Sequence, residues 1–268
     1  MANIITIHDL NIEELNIYTK LNEVQLLRYY EPKEGIFIAE SPNVIARALA
    51  AGYEPLSILM DESEGLGPLE WVTTQWPKLP IYAVPNSVLK EMRGFALTRG
   101  LLCAMRRKEL PTVAELVRDC RRIAVLEDVV NPTNVGAIFR SAAALNIDAV
   151  LLTPACCDPL YRRSARVSMG TVFQIPWTFF PDNNYMATLQ ELGYKTVAMA
   201  LKKDSYSIDD PTLKAEPKLA IFLGTEGEGL KNETIDACDY TVMIPMTHGV
   251  DSLNVAAASA VSFWELGK

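Results

Sequence analysis

Five short apolar runs in the second half of the chain alternate with longer segments of helical pattern. The runs are 123–126, 149–152, 196–200, 219–223 and 240–244, and the helical segments are 134–145, 184–192, 230–237 and 252–264. Apolar strands separated by helices predict an α/β fold, with a parallel sheet covered by helices on both faces. Ligands of such sheets bind at the carboxyl ends of the strands. The candidate binding loops therefore follow Leu126, Ala200, Leu223 and Ile244.

The first half of the chain has the pattern of a smaller α/β unit. Its predicted strands are 36–39, 57–60 and 81–84, and its predicted helices are 12–30, 42–51, 71–76 and 86–92. Ser41 is a candidate N-cap, because Pro42 follows it at the first helical position. The charged, proline-containing segment 106–111 marks a boundary. We therefore expect two domains and a linker, at 1–105, 121–268 and 106–120.

The composition is that of an ordinary globular protein, with 49% hydrophobic and 22% charged residues among 268. The net charge of −8, taken alone, argues against a protein that coats nucleic acid. The sequence has no apolar run of about 18 residues and no signal-peptide pattern at its start. Five cysteines without CxxC spacing, with only two histidines, disfavour a metal site and predict a cytoplasmic protein. A catalytic cysteine paired with His248 stays open.

The loop after Leu126 contains Asn131-Pro-Thr-Asn134-Val-Gly136 and leads into an amphipathic helix. The apolar stripe of that helix comprises Val135, Ile138, Phe139, Ala142 and Leu145. Arg140 falls outside the stripe, among small alanines, and could face a cleft. The alternative is a solvated arginine, with Asn134 as an ordinary N-cap.

The loops after Leu223 and Ile244 contain clustered glycine and polar residues. The first, Gly224-Thr-Glu226-Gly-Glu-Gly229, permits close backbone approach to a ligand but matches neither a P-loop nor GxGxxG. Glu226 would repel a phosphate. The second loop continues from Met246 to a final helix that Asp251 or Ser252 could cap, with Ser252 and Asn254 flanking Leu253. Purely structural turns are the alternative for both loops.

Together these motifs resemble the SpoU (TrmH-type) RNA 2′-O-ribose methyltransferases of the SPOUT superfamily. The matching segments are 131–142, 221–230, 244–246 with 252–255, and 158–170. The likeness covers about residues 121–268, with the motifs in order. The first half, chiefly from Phe37 to Gly52, is more loosely similar to the L30e-like RNA-binding domain of the family.

The resemblance implies a deep trefoil knot, a homodimer, RNA as substrate, S-adenosylmethionine as methyl donor and no metal. By position, the residues expected to bind the cofactor are Gly224, Ile244, Leu253, Leu223, Met246, Gly229 and Leu201. Arg140 corresponds to the catalytic arginine of the family. The polar residues expected around the reacting centre are Asn134, Glu226, Ser252 and Asn254.

The expected chemistry aligns a ribose 2′-hydroxyl with an already activated sulfonium methyl group. The high pKa of a guanidinium makes Arg140 an awkward base, so phosphate binding and alkoxide stabilisation are the favoured roles. Proton removal by Arg140 is the family proposal. The rival interpretations are a non-catalytic RNA- or ribosome-binding protein, a base methyltransferase of the same superfamily and a Rossmann dehydrogenase.

Residues 90–122 carry nine basic against four acidic side chains, so the acidic total conceals a basic segment. A second basic cluster occurs at 162–166, which the motifs predict to lie beside the catalytic cleft. The candidate RNA-binding residues are Arg106, Arg107, Arg162, Arg163 and Arg166. Solvated helix faces are the alternative. The sequence predicts RNA contact confined to a basic stripe, with weak non-specific binding.

Overall fold

Two sheets organise the protein, one in each of two compact units. The computed structural model describes residues 2–9, 11–31, 33–89, 101–202 and 204–267. The first unit comprises Met1–Glu109 and Leu160–Phe173, and the second comprises Leu110–Pro159 and Gln174–Lys268. The segment Leu160–Phe173 thus packs with the first unit, although it falls within the predicted domain 121–268. The predicted division into an RNA-binding domain, a linker and a methyltransferase domain stays a prediction.

The first unit contains a five-stranded mixed sheet with the order β1-β4-β3-β5-β2. Its strands, numbered in chain order, are β1 (Ile4–Thr6), β2 (Ile36–Glu40), β3 (Pro55–Asp61), β4 (Ile81–Val84) and β5 (Leu101–Arg106). Its helices are α1 (Asn16–Thr19), α2 (Glu23–Leu27), α3 (Pro42–Ala50), α4 (Val72–Gln75), α5 (Asn86–Leu89) and α8 (Arg162–Val167). The three strands predicted in the first half of the chain are confirmed.

The single helix predicted over 12–30 is wrong. A 3-10 turn at Glu13–Leu15 and two short helices, α1 and α2, occupy this stretch. The Asn22 side chain accepts the backbone N–H of Gln25 at 3.0 Å, and Gln25 accepts that of Asn22 at 2.9 Å. This capping box begins a new helix at Glu23 and so separates it from the one before.

The predicted start of α3 is confirmed in position. Ser41 is its N-cap, at φ +86°, but makes no side-chain capping bond, so Pro42 marks the start instead. Three basic residues of the predicted basic segment, and the end of the predicted helix 86–92, lie outside the described residues. These three are Lys90, Arg93 and Arg99.

The second unit contains a seven-stranded sheet with the order β10-β12-β9-β11-β6-β7-β8, in which every pairing is parallel. Its strands are β6 (Arg122–Leu126), β7 (Ala149–Leu152), β8 (Trp177–Phe179), β9 (Lys195–Met199), β10 (Tyr206–Ser207), β11 (Leu219–Leu223) and β12 (Tyr240–Met243). Its helices are α6 (Val113–Leu116), α7 (Pro132–Ala144), α9 (Tyr185–Glu191), α10 (Pro211–Ala215), α11 (Asn232–Ala237) and α12 (Val255–Leu266). The predicted α/β fold with a parallel sheet is confirmed, and the knot stays a prediction.

Two strands of this sheet were not predicted, and both are short. β8 has three residues and β10 has two, so neither gives a detectable run of apolar residues. Both lie at the edges of the sheet, outside the five strands that the sequence predicts. The central strands are nearly completely buried, which is why their apolar runs are continuous.

The register of the central strands brings the predicted binding loops to one edge. Leu223 pairs with Leu126, and Val242 pairs with Met199, so β6, β9, β11 and β12 end side by side. Among the described residues, no helix is long and apolar enough to cross a membrane.

Candidate active site

A cavity of about 560 Å³ lies at the carboxyl ends of β9, β11 and β12. Its size is that of a small-molecule site. All seven predicted cofactor-binding residues line it, and so do three of the predicted catalytic residues. These ten are Leu201, Leu223, Gly224, Gly229, Ile244, Met246, Leu253, Glu226, Ser252 and Asn254. The motifs at 221–230 and at 244–246 with 252–255 therefore converge on one concave surface.

The loop at 224–230, here called the glycine loop, is tightly folded on itself. The backbone N–H of Thr225 donates to the Gly229 carbonyl at 3.2 Å, and Gly229 returns a bond to Thr225 at 3.1 Å. A Cβ atom at Gly224 would collide with the backbone of Gly229 and Leu230. Gly227 has φ +87°, which is unfavourable for other residues. Close contact within the loop thus explains Gly224, and the backbone conformation explains Gly227.

Three backbone groups at the cavity are open to a ligand. Within the part of the chain that the structure describes, the N–H groups of Gly224, Ile244 and Leu253 donate no hydrogen bond. Gly224 is buried, and a buried N–H without an acceptor is unfavourable. A ligand acceptor at this position would relieve that cost.

Three of the predicted catalytic residues form a connected set, here called the polar relay: Asn134, Glu226 and Asn254. The Asn254 amide donates to the Glu226 carboxylate and lies 3.5 Å from the Asn134 side-chain oxygen. The Asn254 oxygen accepts the N–H of Ala256 at 2.9 Å, which makes Asn254 the N-cap of α12. The prediction that Asp251 or Ser252 caps this helix is therefore wrong.

Asn134 is buried in the first turn of α7 and does not cap that helix. Asn131 is the cap, because its side chain accepts the N–H of Thr133 at 2.9 Å. The alternative interpretation of Asn134 as an ordinary N-cap is therefore wrong. The side chain is instead directed to Asn254.

Arg140 is exposed and is not among the residues that line the cavity. It follows Asn134 by six residues, about 9 Å along the helix axis. Its guanidinium makes no hydrogen bond or ion pair with the described residues. Arg140 is thus available to a group supplied by another molecule.

Sequence reasoning overlooked a buried carboxylate next to the glycine loop. Glu127 is 1% exposed and accepts hydrogen bonds from Tyr185, Thr234 and the backbone of Lys231. The available signal was a pair of acidic residues, Glu127 and Asp128, directly after an apolar strand. Thr225, Glu228 and Asp251 also line the cavity, and the sequence motifs did not predict this.

The surroundings of four described cysteines disfavour a catalytic thiolate. Burial raises the pKa of Cys103, Cys120, Cys156 and Cys238, which disfavours the reactive thiolate. His248 is exposed at φ +60° and lies outside the cavity lining. The structure therefore offers no support for the Cys–His alternative among the residues it describes.

Three of the predicted RNA-binding arginines form ion pairs with glutamates of the first unit. Arg166 and Arg162 pair with the buried carboxylate of Glu40 at 3.0 and 3.3 Å, and burial lowers the pKa of Arg162. Arg106 pairs with Glu54 at 3.0 Å and lies 4.9 Å from the ring centroid of Tyr30. Their roles in RNA binding stay predictions.

The parallel sheet and its cavity define an α/β protein with a small-molecule-sized site at the carboxyl ends of its strands. The model of the SpoU rRNA Methylase family matches residues 121–264. The chain belongs to this family.

Individual relatives and solved structures are similar to this chain over nearly its whole length. An uncharacterized tRNA/rRNA methyltransferase of Mycobacterium bovis is 35% identical over 94% of this chain and 87% of its own length. Among solved structures, an AdoMet-bound rRNA methyltransferase from Sinorhizobium meliloti has a TM-score of 0.80 at 20% identity, covering 99% of this chain and 98% of its own. A structure described as an RNA 2′-O ribose methyltransferase has a TM-score of 0.76 at 26% identity, covering 98% of both chains.

Proposed function

We propose that this protein transfers the methyl group of S-adenosylmethionine to a ribose 2′-hydroxyl in tRNA or rRNA. The observation that carries the proposal is the polar relay at the rim of the cavity, formed by Asn134, Glu226 and Asn254. Membership of a family of rRNA methylases supports RNA methyl transfer. The solved 2′-O ribose methyltransferase, at 26% identity over nearly the whole chain, supports the ribose as acceptor.

The cavity fits S-adenosylmethionine in its chemistry. The open N–H groups of Gly224, Ile244 and Leu253 suit the polar atoms of an adenosine and a methionine moiety. Apolar side chains supply the remaining contacts, from Leu201, Leu223 and Met246. When bound, the cofactor supplies a sulfonium methyl group that is already activated for transfer.

The carboxylate of Glu226 matches the positive charge of a sulfonium. Glu226 is exposed in the glycine loop, and the Asn254 amide orients it. A carboxylate held in one place before the reaction contributes more than one that must reorganise. Ser252 lines the same cavity and offers a hydroxyl to the acceptor ribose.

Arg140 binds the phosphate beside the target ribose and stabilises the developing alkoxide in this proposal. Its exposed guanidinium has no partner among the described residues and is suited to a phosphate, which it can contact through two N–H groups. Arg140 is exposed and lies outside the cavity lining, so it is available to the cavity of another molecule. RNA supplies the phosphate, and we infer that a second copy of the chain supplies the arginine.

A homodimer is supported by the surface of α12. Val261 and Trp264 are 38% and 58% exposed on this helix, and large apolar side chains at a surface favour association. Contacts between α12 and α7 place Arg140 on the element that packs against this helix.

Mixed dimers test whether the reacting centre spans two subunits. We expect Arg140→Ala and Glu226→Gln each to reduce single-turnover methylation by about 10²–10³-fold. A dimer with one variant of each kind, isolated by two affinity tags, regains about half the wild-type activity, since one of its two sites is then intact. No recovery in the mixed dimer contradicts the shared site, and wild-type methylation by Arg140→Ala contradicts both roles of Arg140.

The RNA partner is tested by labelling. The protein is incubated with labelled S-adenosylmethionine and total tRNA or rRNA, and the RNA is then digested to nucleosides. We expect labelled 2′-O-methyl nucleosides. Label on a base supports the base-methyltransferase alternative, and no label in either RNA contradicts the proposed reaction. We also expect RNA affinity to fall steeply with salt, through the basic residues at 106–107 and 162–166.

A further inference from the structure

Glu127 bonds both ends of the glycine loop, the start through its backbone and the end through its buried carboxylate. The backbone N–H of Glu127 donates to the carbonyl of Leu223, immediately before the loop, at 2.9 Å. The side-chain Oε2 atom of Glu127 accepts the backbone N–H of Lys231, immediately after the loop, at 2.8 Å. Residues 224–230 therefore begin and end at the same anchor.

Two hydroxyl groups complete the surroundings of this carboxylate. Tyr185 and Thr234 both donate to Oε1 of Glu127, and their own oxygens lie 3.0 Å apart. We refer to Glu127, Tyr185, Lys231 and Thr234 as the Glu127 clamp. Burial, followed by the bond to Glu127, raises the pKa of Tyr185 to about 12, so its hydroxyl remains a donor at neutral pH. Three donors thus converge on the two oxygens.

An adjacent ion pair adds a second contact to Lys231, the residue that follows the glycine loop. Asp128 follows Glu127 and pairs with the Lys231 ammonium at 2.6 Å. The Thr153 hydroxyl donates to Asp128 at 2.7 Å. Burial alone would raise the pKa of Asp128, but the bonds from Lys231 and Thr153 hold it below its usual value. Lys231 is thus held by its backbone and by its side chain.

The chemistry of the clamp requires a carboxylate. An ionised carboxylate accepts hydrogen bonds at both oxygens, whereas a glutamine amide offers one acceptor and one donor. With glutamine at position 127, the NH₂ group would face either the Lys231 N–H or the two hydroxyls. A buried donor would then lose its partner, and the loop end would move to relieve this.

We propose that Glu127 is a positioning residue for methyl transfer, whose carboxylate fixes the shape of the glycine loop and thereby the affinity for S-adenosylmethionine. Glu127 acts through the loop and not on the reacting atoms, since it is buried and does not line the cavity. This inference rests on the proposed function, because it takes S-adenosylmethionine as the ligand of the cavity.

The test compares Glu127→Gln with wild type in three measurements on the full chain. The first is the dissociation constant for S-adenosylmethionine, by calorimetry. The second is the pair of kinetic constants for methyl transfer to RNA, KM for S-adenosylmethionine and kcat. The third is the melting temperature. We expect the dissociation constant and KM to rise about tenfold or more, about 1.4 kcal/mol per factor of ten. We expect kcat at saturating cofactor to stay within about threefold of wild type.

Two buried tyrosines provide a matched control. Tyr185 and Tyr194 belong to the same hydrophobic core, and each hydroxyl is hydrogen-bonded. Tyr194 donates to the Cys120 carbonyl at 2.8 Å and precedes β9, at the opposite end of that strand from the cavity. We expect Tyr185→Phe to weaken cofactor binding about threefold or more and Tyr194→Phe to leave it unchanged, at a similar loss of stability.

The outcomes separate the positioning role from a general effect on stability. Unchanged cofactor affinity in a folded Glu127→Gln protein overturns the proposal, and so does equal weakening by the two tyrosine variants. If Glu127→Gln fails to fold, the tyrosine pair decides alone. Wild-type protein that does not bind S-adenosylmethionine overturns the proposed function itself, and this result is seen before any variant is compared.

Discussion

Two carboxylates of the second unit belong to opposite environments around the same loop. Glu127 is 1% exposed and is surrounded by three donors, whereas Glu226 is exposed and is bonded by the amide of Asn254. Glu226 and Asn254 line the cavity and are open to ligands, whereas the carboxylate of the Glu127 clamp is closed to them. The comparison separates a residue that can contact a substrate, Glu226, from one that holds the loop around it in place, Glu127.

Substitutions at Glu226 and in the Glu127 clamp should therefore change the free energy of unfolding by different amounts. Removing a buried hydrogen-bonding partner leaves another polar group unsatisfied and costs about 1–3 kcal/mol of stability. Exposed polar residues usually change stability by less than about 0.5 kcal/mol. Variants of Glu226 should therefore affect catalysis at little cost in stability, and variants around the clamp should affect stability and cofactor binding together.

The largest effect is expected from Glu226→Gln. The substitution removes a negative charge but keeps the size and a hydrogen-bonding oxygen. We expect kcat/KM to fall about 10²–10³-fold, by loss of the charge that would face the sulfonium in the proposed function, with a free energy of unfolding within about 0.5 kcal/mol of wild type. Single-turnover kinetics and urea denaturation measure the two quantities. A variant that loses stability but keeps its rate would reverse the comparison.

Gly224→Ala should produce the next largest effect, now on stability. A Cβ atom at this position collides with the backbone of Gly229 and Leu230, and backbone cannot move aside as a flexible side chain can. We expect a loss of about 2–3 kcal/mol in the free energy of unfolding, together with weaker cofactor binding.

Gly227→Ala provides the control for Gly224→Ala. An added Cβ at Gly227 meets no atom within 4 Å, so the only cost is that of φ +87°. We expect this cost to be about 1 kcal/mol. Equal losses at the two positions would show that contact within the loop is not what requires Gly224. Denaturation curves of both variants decide this.

The smallest effect concerns Asp128→Asn and depends on pH. The pKa of Asp128 is held below its ordinary value of 3.8, so the folded protein favours the ionised form. The stabilisation is fully present above pH 3.8 and is lost as the pH falls through the lower pKa of the folded state. Because the ion pair of Asp128 with Lys231 is partly exposed, we expect Asp128→Asn to lower the free energy of unfolding by less than about 1 kcal/mol at pH 7. Urea midpoints at pH 7 and pH 3 measure this, and a difference that grows in acid has the wrong sign.

The sequence predicted the central sheet and the cavity lining well, for a physical reason. Buried parallel strands require continuous apolar runs, such as 219–223, and their carboxyl ends necessarily form one edge. Leu201, Gly224 and Met246 each follow one of three such strands, β9, β11 and β12, closely. The resemblance to the family was needed to assign them, and Leu253, to cofactor binding.

Side-chain partnerships across the chain could not be predicted in the same way. Asn254 proved to be the cap of α12, because its oxygen reaches Ala256 while its amide reaches Glu226. Glu127 contacts Tyr185 and Thr234, which are 58 and 107 residues away in the sequence. No local pattern specifies such pairs. Arg162 and Arg166 also have in Glu40 a partner that spacing alone does not reveal.

The most direct test of ribose methylation is the resistance of the product RNA to alkali. Alkaline cleavage of RNA needs a free 2′-hydroxyl, so a methylated ribose protects the phosphodiester bond that follows it. After incubation with S-adenosylmethionine and total tRNA or rRNA, we predict that the transferred methyl group is recovered in alkali-stable dinucleotides, in amounts that depend on Arg140 and Glu226. Recovery of the methyl group only in mononucleotides would place it on a base and contradict ribose methylation.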